Sequence, residues 1–294
     1  MCNDICKIFA PSGREGDLRE YVVSAVKNRF DKVEVDTFGN IVAVSGNPQM
    51  WIECGLDGCG IMLTSIEDGK AHFAGVGGIN AEYLIGKKIL FDDNSVGIVR
   101  FDGKDKSKSQ ISDLYLECST KNRKIGDFGV VKSGYCETDD AVFANGLSNK
   151  AGVMAVMTAV SACNKIGDIG ILFSAQKRLG ARGIRTFFGN GEYEKVLTVE
   201  GASAQKIKET SIVVADKNGV CGKELKEELL KVYDKAAVCD ENLCMGDIIT
   251  ASKGAQCGAL ALPVSNKDDN FEKILKKDFD CAVEILRKVM TGEN

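Results

Sequence analysis

A change of periodicity in the middle of the chain limits its possible folds more than any other feature. From Ile61 to about Ala144 the sequence runs as short β-like stretches. These are Ile61 to Ile66, His72 to Ala74, Lys88 to Phe91, Val96 to Arg100, Leu114 to Glu117 and Gly129 to Val131. Turn residues separate them and no long helical period intervenes. After Ser148 the order becomes helix, strand, helix, strand, the signature of an α/β layer. A chain of 294 residues can build a large α/β unit that carries a smaller one. The expectation is a discontinuous α/β domain of residues 1–60 and 145–294, interrupted by a small β-barrel domain of residues 61–144.

The flanking segments supply the elements of the larger domain. Ser12-Gly13-Arg14-Glu15 has the pattern of a capping box, and Leu18, Val22, Ala25, Val26 and Phe30 follow at helical spacing. Val33 to Asp36 alternates, Phe38-Gly39-Asn40 offers a turn, and Ile41 to Val44 resumes an apolar run, so a strand pair is expected. Trp51 to Cys54 reads as a further strand ending in Gly55-Leu56-Asp57-Gly58-Cys59-Gly60. Beyond the insertion, helices are expected from Asn149 to Asn164, Ala181 to Phe188, Gly222 to Asp234 and Phe279 to Met290. Strands are expected from Ile169 to Ala175, Val196 to Val199 and Ala259 to Pro263.

A net charge of -4 with scattered Lys and Arg leaves no basic footprint for nucleic acid or an anionic membrane. The longest apolar stretch, Ala151 to Cys163, is shorter than the roughly 20 residues a spanning helix needs. The first residues lack the basic and apolar regions of a secretory signal, so a cytoplasmic location is expected. Twelve cysteines with no C-x-x-C pair then read as free thiols serving mostly as small buried apolar groups. The single histidine, His72, lies in the β insertion and reads as an ordinary strand residue.

Several short stretches carry a resemblance over nearly the whole chain. Pro11-Ser12-Gly13-Arg14-Glu15-Gly16, Val35-Asp36-Thr37-Phe38-Gly39-Asn40, Gly75-Val76-Gly77-Gly78 and Leu84-Ile85-Gly86-Lys87-Lys88-Ile89 occur in this order, followed by Ile125-Gly126-Asp127 and Gly180-Ala181-Arg182-Gly183. In order and spacing they resemble the deblocking, glutamyl or tetrahedral aminopeptidases, dinuclear-metal exopeptidases that include proteins once labelled endoglucanases or cellulases. The resemblance implies a three-layer aminopeptidase-like (phosphorylase/hydrolase-like) α/β domain with the inserted barrel. It also implies a homo-oligomer, a dimer or larger, and a peptide or small-molecule ligand.

The family's chemistry uses two zinc or cobalt ions, held by histidines and acids, with a glutamate that activates water. At the position of the first histidine this chain has Gly55, followed by Asp57 where the family keeps an aspartate. The bridging aspartate is matched by Ser148, the general base by Lys177 and the following ligand by Arg178. Glu200 matches the next acid and keeps ligand chemistry; Asp268, counted on from Pro263, falls near the last histidine. A fixed cation close to a divalent ion is repelled by several kcal/mol in a partly buried site. The expectations are therefore no cofactor, no catalytic residue, and Lys177 and Arg178 filling the metal volume while pairing with Asp57, Glu200 and Asp268. Two alternatives stand beside them: Lys177 and Arg178 are exposed strand-end residues, or the chain is an active metallo-aminopeptidase whose ligands lie elsewhere. A thiol-based site at Cys54 or Cys59 lacks a base.

Overall fold

Hydrophobic runs too continuous for one-sided burial become the centre of a sheet. Ile169–Ser174, Met50–Gly55, Lys195–Ser203 and Gln256–Val264 lie side by side and parallel, and nearly every residue in them is buried, as expected when layers cover both faces. Outside them the hairpin Lys32–Val35 and Ile41–Ser45 forms one edge, and Ser211–Ala215 with Ala236–Val238 forms the other, making eight strands. The computed structural model describes residues 2–67, 69–132, 134–269 and 271–293.

The helix Leu147–Ala162 is apolar all round and buried along most of its length, as a helix held between a sheet and other helices must be. Gly152 permits the close approach, because a Cβ there would lie 2.2 Å from the carbonyl oxygen of Val199. Lys276–Thr291 and Gly16–Val26 pack against this helix, and Arg182–Phe188 packs against Met245–Ala251, completing a three-layer α/β arrangement.

Six strands of the expected insertion close into a barrel in the order Gly60–Glu67, Lys70–Val76, Leu114–Glu117, Val96–Phe101, Lys88–Phe91 and Phe128–Val131. Its own core includes Ile61, Leu63, Phe73, Ile89 and Leu116. The barrel ends at Val131. Tyr135–Glu137 and Ala141–Ala144, assigned to it from the sequence, instead form a three-stranded sheet with Glu272–Leu275. That pairing joins segments far apart in the chain, which local pattern does not reveal.

The capping-box reading is corrected. The helix starts at Gly16 and has no side-chain cap; Ser12 turns its hydroxyl to the Asp57 carboxylate. The Glu15 carboxylate accepts from the backbone N–H groups of Gly13 and Gln176 at 2.6 and 3.1 Å. Among the described residues, no helix is long and apolar enough to cross a membrane.

Lys150 ties the N-terminal helix Cys2–Lys7 to the core. Its buried ammonium donates to the carbonyls of Ile5, Cys6 and Ile8 at 2.8, 3.3 and 3.3 Å, where the helix dipole favours a cation. Burial pushes its pKa down from 10.5 to about 8. The folded-state value lies below the unfolded one, so between those two pH values the unfolded chain binds more protons. This group's contribution to stability therefore rises with pH over that window, by at most roughly 1.4 kcal/mol per pH unit. Urea unfolding should show wild type gaining on Lys150→Met between about pH 8 and about pH 10.5; a difference independent of pH would contradict this assignment.

Candidate functional site

Ligands in open α/β sheets meet the carboxyl ends of parallel strands, and there the residues singled out from the sequence converge. Ser174 stands beside Gly55, and Thr198 beside Glu53, in the strand register. Just past Ser174 the chain makes the 3-10 turn Lys177–Leu179. Asp57 caps it: Oδ1 accepts from the backbone N–H of Lys177 and Oδ2 from that of Arg178, each at 2.8 Å. Burial pushes the Asp57 carboxyl up, while the hydrogen bonds from Ser12, Arg178 and Lys177 oppose that shift. Asp57 thus receives the backbone of the two cations, not the side-chain ion pairs expected from sequence.

The Lys177 side chain turns inward across Gly55. A Cβ at position 55 would lie 2.9 Å from Lys177 Cδ and 3.4 Å from its Cβ, so the missing side chain at 55 opens the path the lysine takes. The ammonium reaches Glu53 Oε2 at 2.6 Å, Thr198 Oγ1 at 3.2 Å and the Glu200 carboxylate. Glu53 is fully buried and also accepts from the hydroxyls of Ser174 at 2.6 Å and Thr198 at 2.8 Å. Burial opposes the charge on Lys177, yet Glu200 and Glu53 together hold its pKa well above the ordinary lysine value.

Arg178 lies further out. Its side chain is 28% exposed, and its Nη2 stands 3.9 Å from Asp268 Oδ1, whose own side chain is 51% exposed. Ser148 faces another acid: its backbone N–H and hydroxyl donate to Glu272 at 2.6 and 2.7 Å, and the N–H of Asp268 reaches the same carboxylate at 2.7 Å. Gly55, Asp57, Lys177, Arg178 and Glu200 are therefore gathered in one place. Asp268 stands at its edge beside Arg178, and Ser148 is engaged by Glu272.

Glu53 and Glu272 escaped the sequence reading. Glu53 carried a usable signal: it is a lone acid inside the apolar run Trp51-Ile52-Glu53-Cys54, and a central strand cannot bury a carboxylate without a partner. Glu272 had no such signal, since its strand is defined by distant pairing. The thiols of Cys54, Cys59 and Cys244 are all pushed up by burial, so none is an activated thiolate. His72 remains in a barrel strand.

These residues do not fit a pair of divalent ions. Among the described residues, no group of three or more His, Cys, Asp or Glu could hold a metal ion. The two carboxylates nearest the centre already share the Lys177 ammonium.

The sequence model described as M42 glutamyl aminopeptidase matches residues 39–256, most of the chain. A 194-residue stretch is 25% identical to a lysyl aminopeptidase of Pyrococcus furiosus, covering 57% of this chain and 56% of that protein. A candidate aminopeptidase of Acetivibrio thermocellus is 29% identical over 61% of this chain and 58% of its own length. The chain thus matches somewhat over half of each of these curated relatives. Among solved structures, an aminopeptidase of Desulfurococcus kamchatkensis superposes with a TM-score of 0.88 at 16% identity, over 98% of this chain and 93% of that one. The TET1 peptidase of Pyrococcus horikoshii superposes with a TM-score of 0.83 at 18% identity, over 98% of both chains. The matching family works with divalent metal ions, which corrects the expectation that no cofactor goes with this chain. The match over most of the sequence and the shared architecture establish that this chain belongs to the M42 glutamyl aminopeptidase family.

Proposed function

We propose that this chain is a non-catalytic member of its family, which binds a peptide or small molecule at the carboxyl ends of the central strands without hydrolysing it. The Lys177 ammonium carries this reading. A general base must accept a proton, and the residue matching that position is a lysine whose charge is held in place by Glu53 and Glu200. The Gly55 side of the site is occupied by the same lysine stem. The opposing reading, an active metal-dependent aminopeptidase, draws its support from family membership. Self-assembly and a cytoplasmic location belong to the proposal as well; the Pyrococcus horikoshii TET1 peptidase can assemble into a tetrahedron or a large octahedral shell.

Two measurements test this reading. With zinc or cobalt supplied in excess, purified chain should release no aminoacyl-anilide product above the uncatalysed rate. Chelator-sensitive turnover would favour the active enzyme. Unfolding experiments test the role of the ammonium. Lys177→Met leaves Glu53 buried without its cation and should cost about 3–5 kcal/mol in urea unfolding, whereas Lys177→Met with Glu53→Leu should recover most of that loss. A single substitution costing under about 1 kcal/mol would place the ammonium outside the buried network.

A further inference from the structure

Aromatic rings gather where the Arg182–Phe188 helix ends. Trp51 and Phe187 have ring centroids 5.0 Å apart, Phe187 and Tyr193 5.3 Å, and Phe188 and Tyr193 4.8 Å. The planes of Phe187 and Tyr193 meet at 43°, so the two rings make an angled wall and not a flat stack. Both are half-buried, and together with Phe38 from the turn between the first two strands they line a hollow of about 390 Å³. That volume lies in the range of small-molecule sites, roughly 300–1,000 Å³. Its walls come from one turn and one helix end, which suits a compact molecule and gives no track for an acyl chain or an extended peptide.

The polar groups of this hollow are committed to the protein itself. Asp36 Oδ1 accepts from the backbone N–H groups of Phe38, Gly39 and Asn40 at 2.9, 2.8 and 2.9 Å, and its Oδ2 accepts from Asn40 Nδ2 at 2.7 Å. The Thr186 hydroxyl donates to the Gly183 carbonyl at 3.0 Å, Asn190 Nδ2 to the Thr186 carbonyl at 2.7 Å, and the Tyr193 hydroxyl to the Phe187 carbonyl at 3.5 Å. A carboxylate that only accepts, and from four donors, is ionised. No lysine or arginine lines the hollow. Of the arginines that approach it along the chain, Arg19 gives its guanidinium to the Gly39 carbonyl at 3.1 Å and Arg185 pairs with Asp247 at 2.6 Å. The hollow therefore joins aromatic walls to one uncompensated negative charge while holding few free hydrogen-bonding groups. A sugar or a primary ammonium needs such groups. A quaternary ammonium needs none, and ring faces with a nearby negative charge are what attract it.

We propose that this hollow binds a small free molecule bearing a trimethylammonium group, packed among Phe38, Phe187 and Tyr193 with the Asp36 carboxylate as its counter-charge. The hollow shares no lining residue with the cluster around Lys177, so the inference stands apart from the non-hydrolytic reading of that site.

Calorimetric titration of the full chain at constant ionic strength tests this with three probes: choline, its uncharged isostere dimethylbutanol, and ethanolamine, which keeps the charge without the methyl groups. Choline should bind saturably. Dimethylbutanol and ethanolamine should each bind weaker by roughly fivefold or more. Phe38→Leu, with an unchanged unfolding midpoint, should weaken choline by a similar factor. Either control binding as tightly as choline, or no saturable choline binding, would overturn the proposal on the unaltered chain alone. Choline affinity unchanged in Phe38→Leu would do the same. Vesicles of phosphatidylcholine should not carry the chain down on sedimentation; co-sedimentation would assign the hollow to a lipid headgroup and overturn the free-molecule assignment.

Discussion

The interior of this molecule is organised around a buried ammonium. Lys177 enters the carboxyl end of the central sheet and meets two carboxylates, one fully buried and one near the surface. Removing three charges from water is costly, and mutual attraction offsets that cost only when the remaining polar atoms are also satisfied. Here they are: Ser174 and Thr198 complete the shell of Glu53, and Asp57 fixes the turn from which the lysine projects. The arrangement depends on Gly55, because any side chain there would meet the lysine stem.

This coupling ties the residues around Lys177 to one another. A lysine at position 177 requires space, and glycine at position 55 provides it. The same lysine requires a counter-charge, and Glu53 supplies it from the neighbouring strand. Ser148, at the start of the central helix, gives its N–H and its hydroxyl to Glu272. A second cation, Arg178, lies further out, 3.9 Å from Asp268.

Much of this was legible before the structure. The continuous apolar runs at Trp51 to Cys54 and Ile169 to Ala175 gave the central strands, because parallel strands buried on both faces lose the alternation of edge strands. The short β runs between Ile61 and Val131 gave the barrel. Position-by-position comparison pointed to Gly55, Asp57, Lys177, Arg178 and Glu200, which the fold brings together. The misses have common physical causes. Glu272–Leu275 and Ala141–Ala144 are strands because of each other, across nearly half the chain. The capping-box pattern at Ser12 failed because Asp57, distant in sequence, competed for the hydroxyl. The cofactor expectation failed for a different reason: it was drawn from single positions of this chain, while divalent-metal chemistry belongs to the family.

The central claim is that Lys177 is a protonated, solvent-excluded ammonium shared by Glu53 and Glu200. Nitrogen-15 NMR of its Nζ in the folded chain measures this directly. The account predicts an ammonium signal that persists with slow solvent exchange to pH values above 10.5, the ordinary lysine value from which its pKa is raised. A signal that titrates at or below that value, with the fast exchange of a surface lysine, would contradict it.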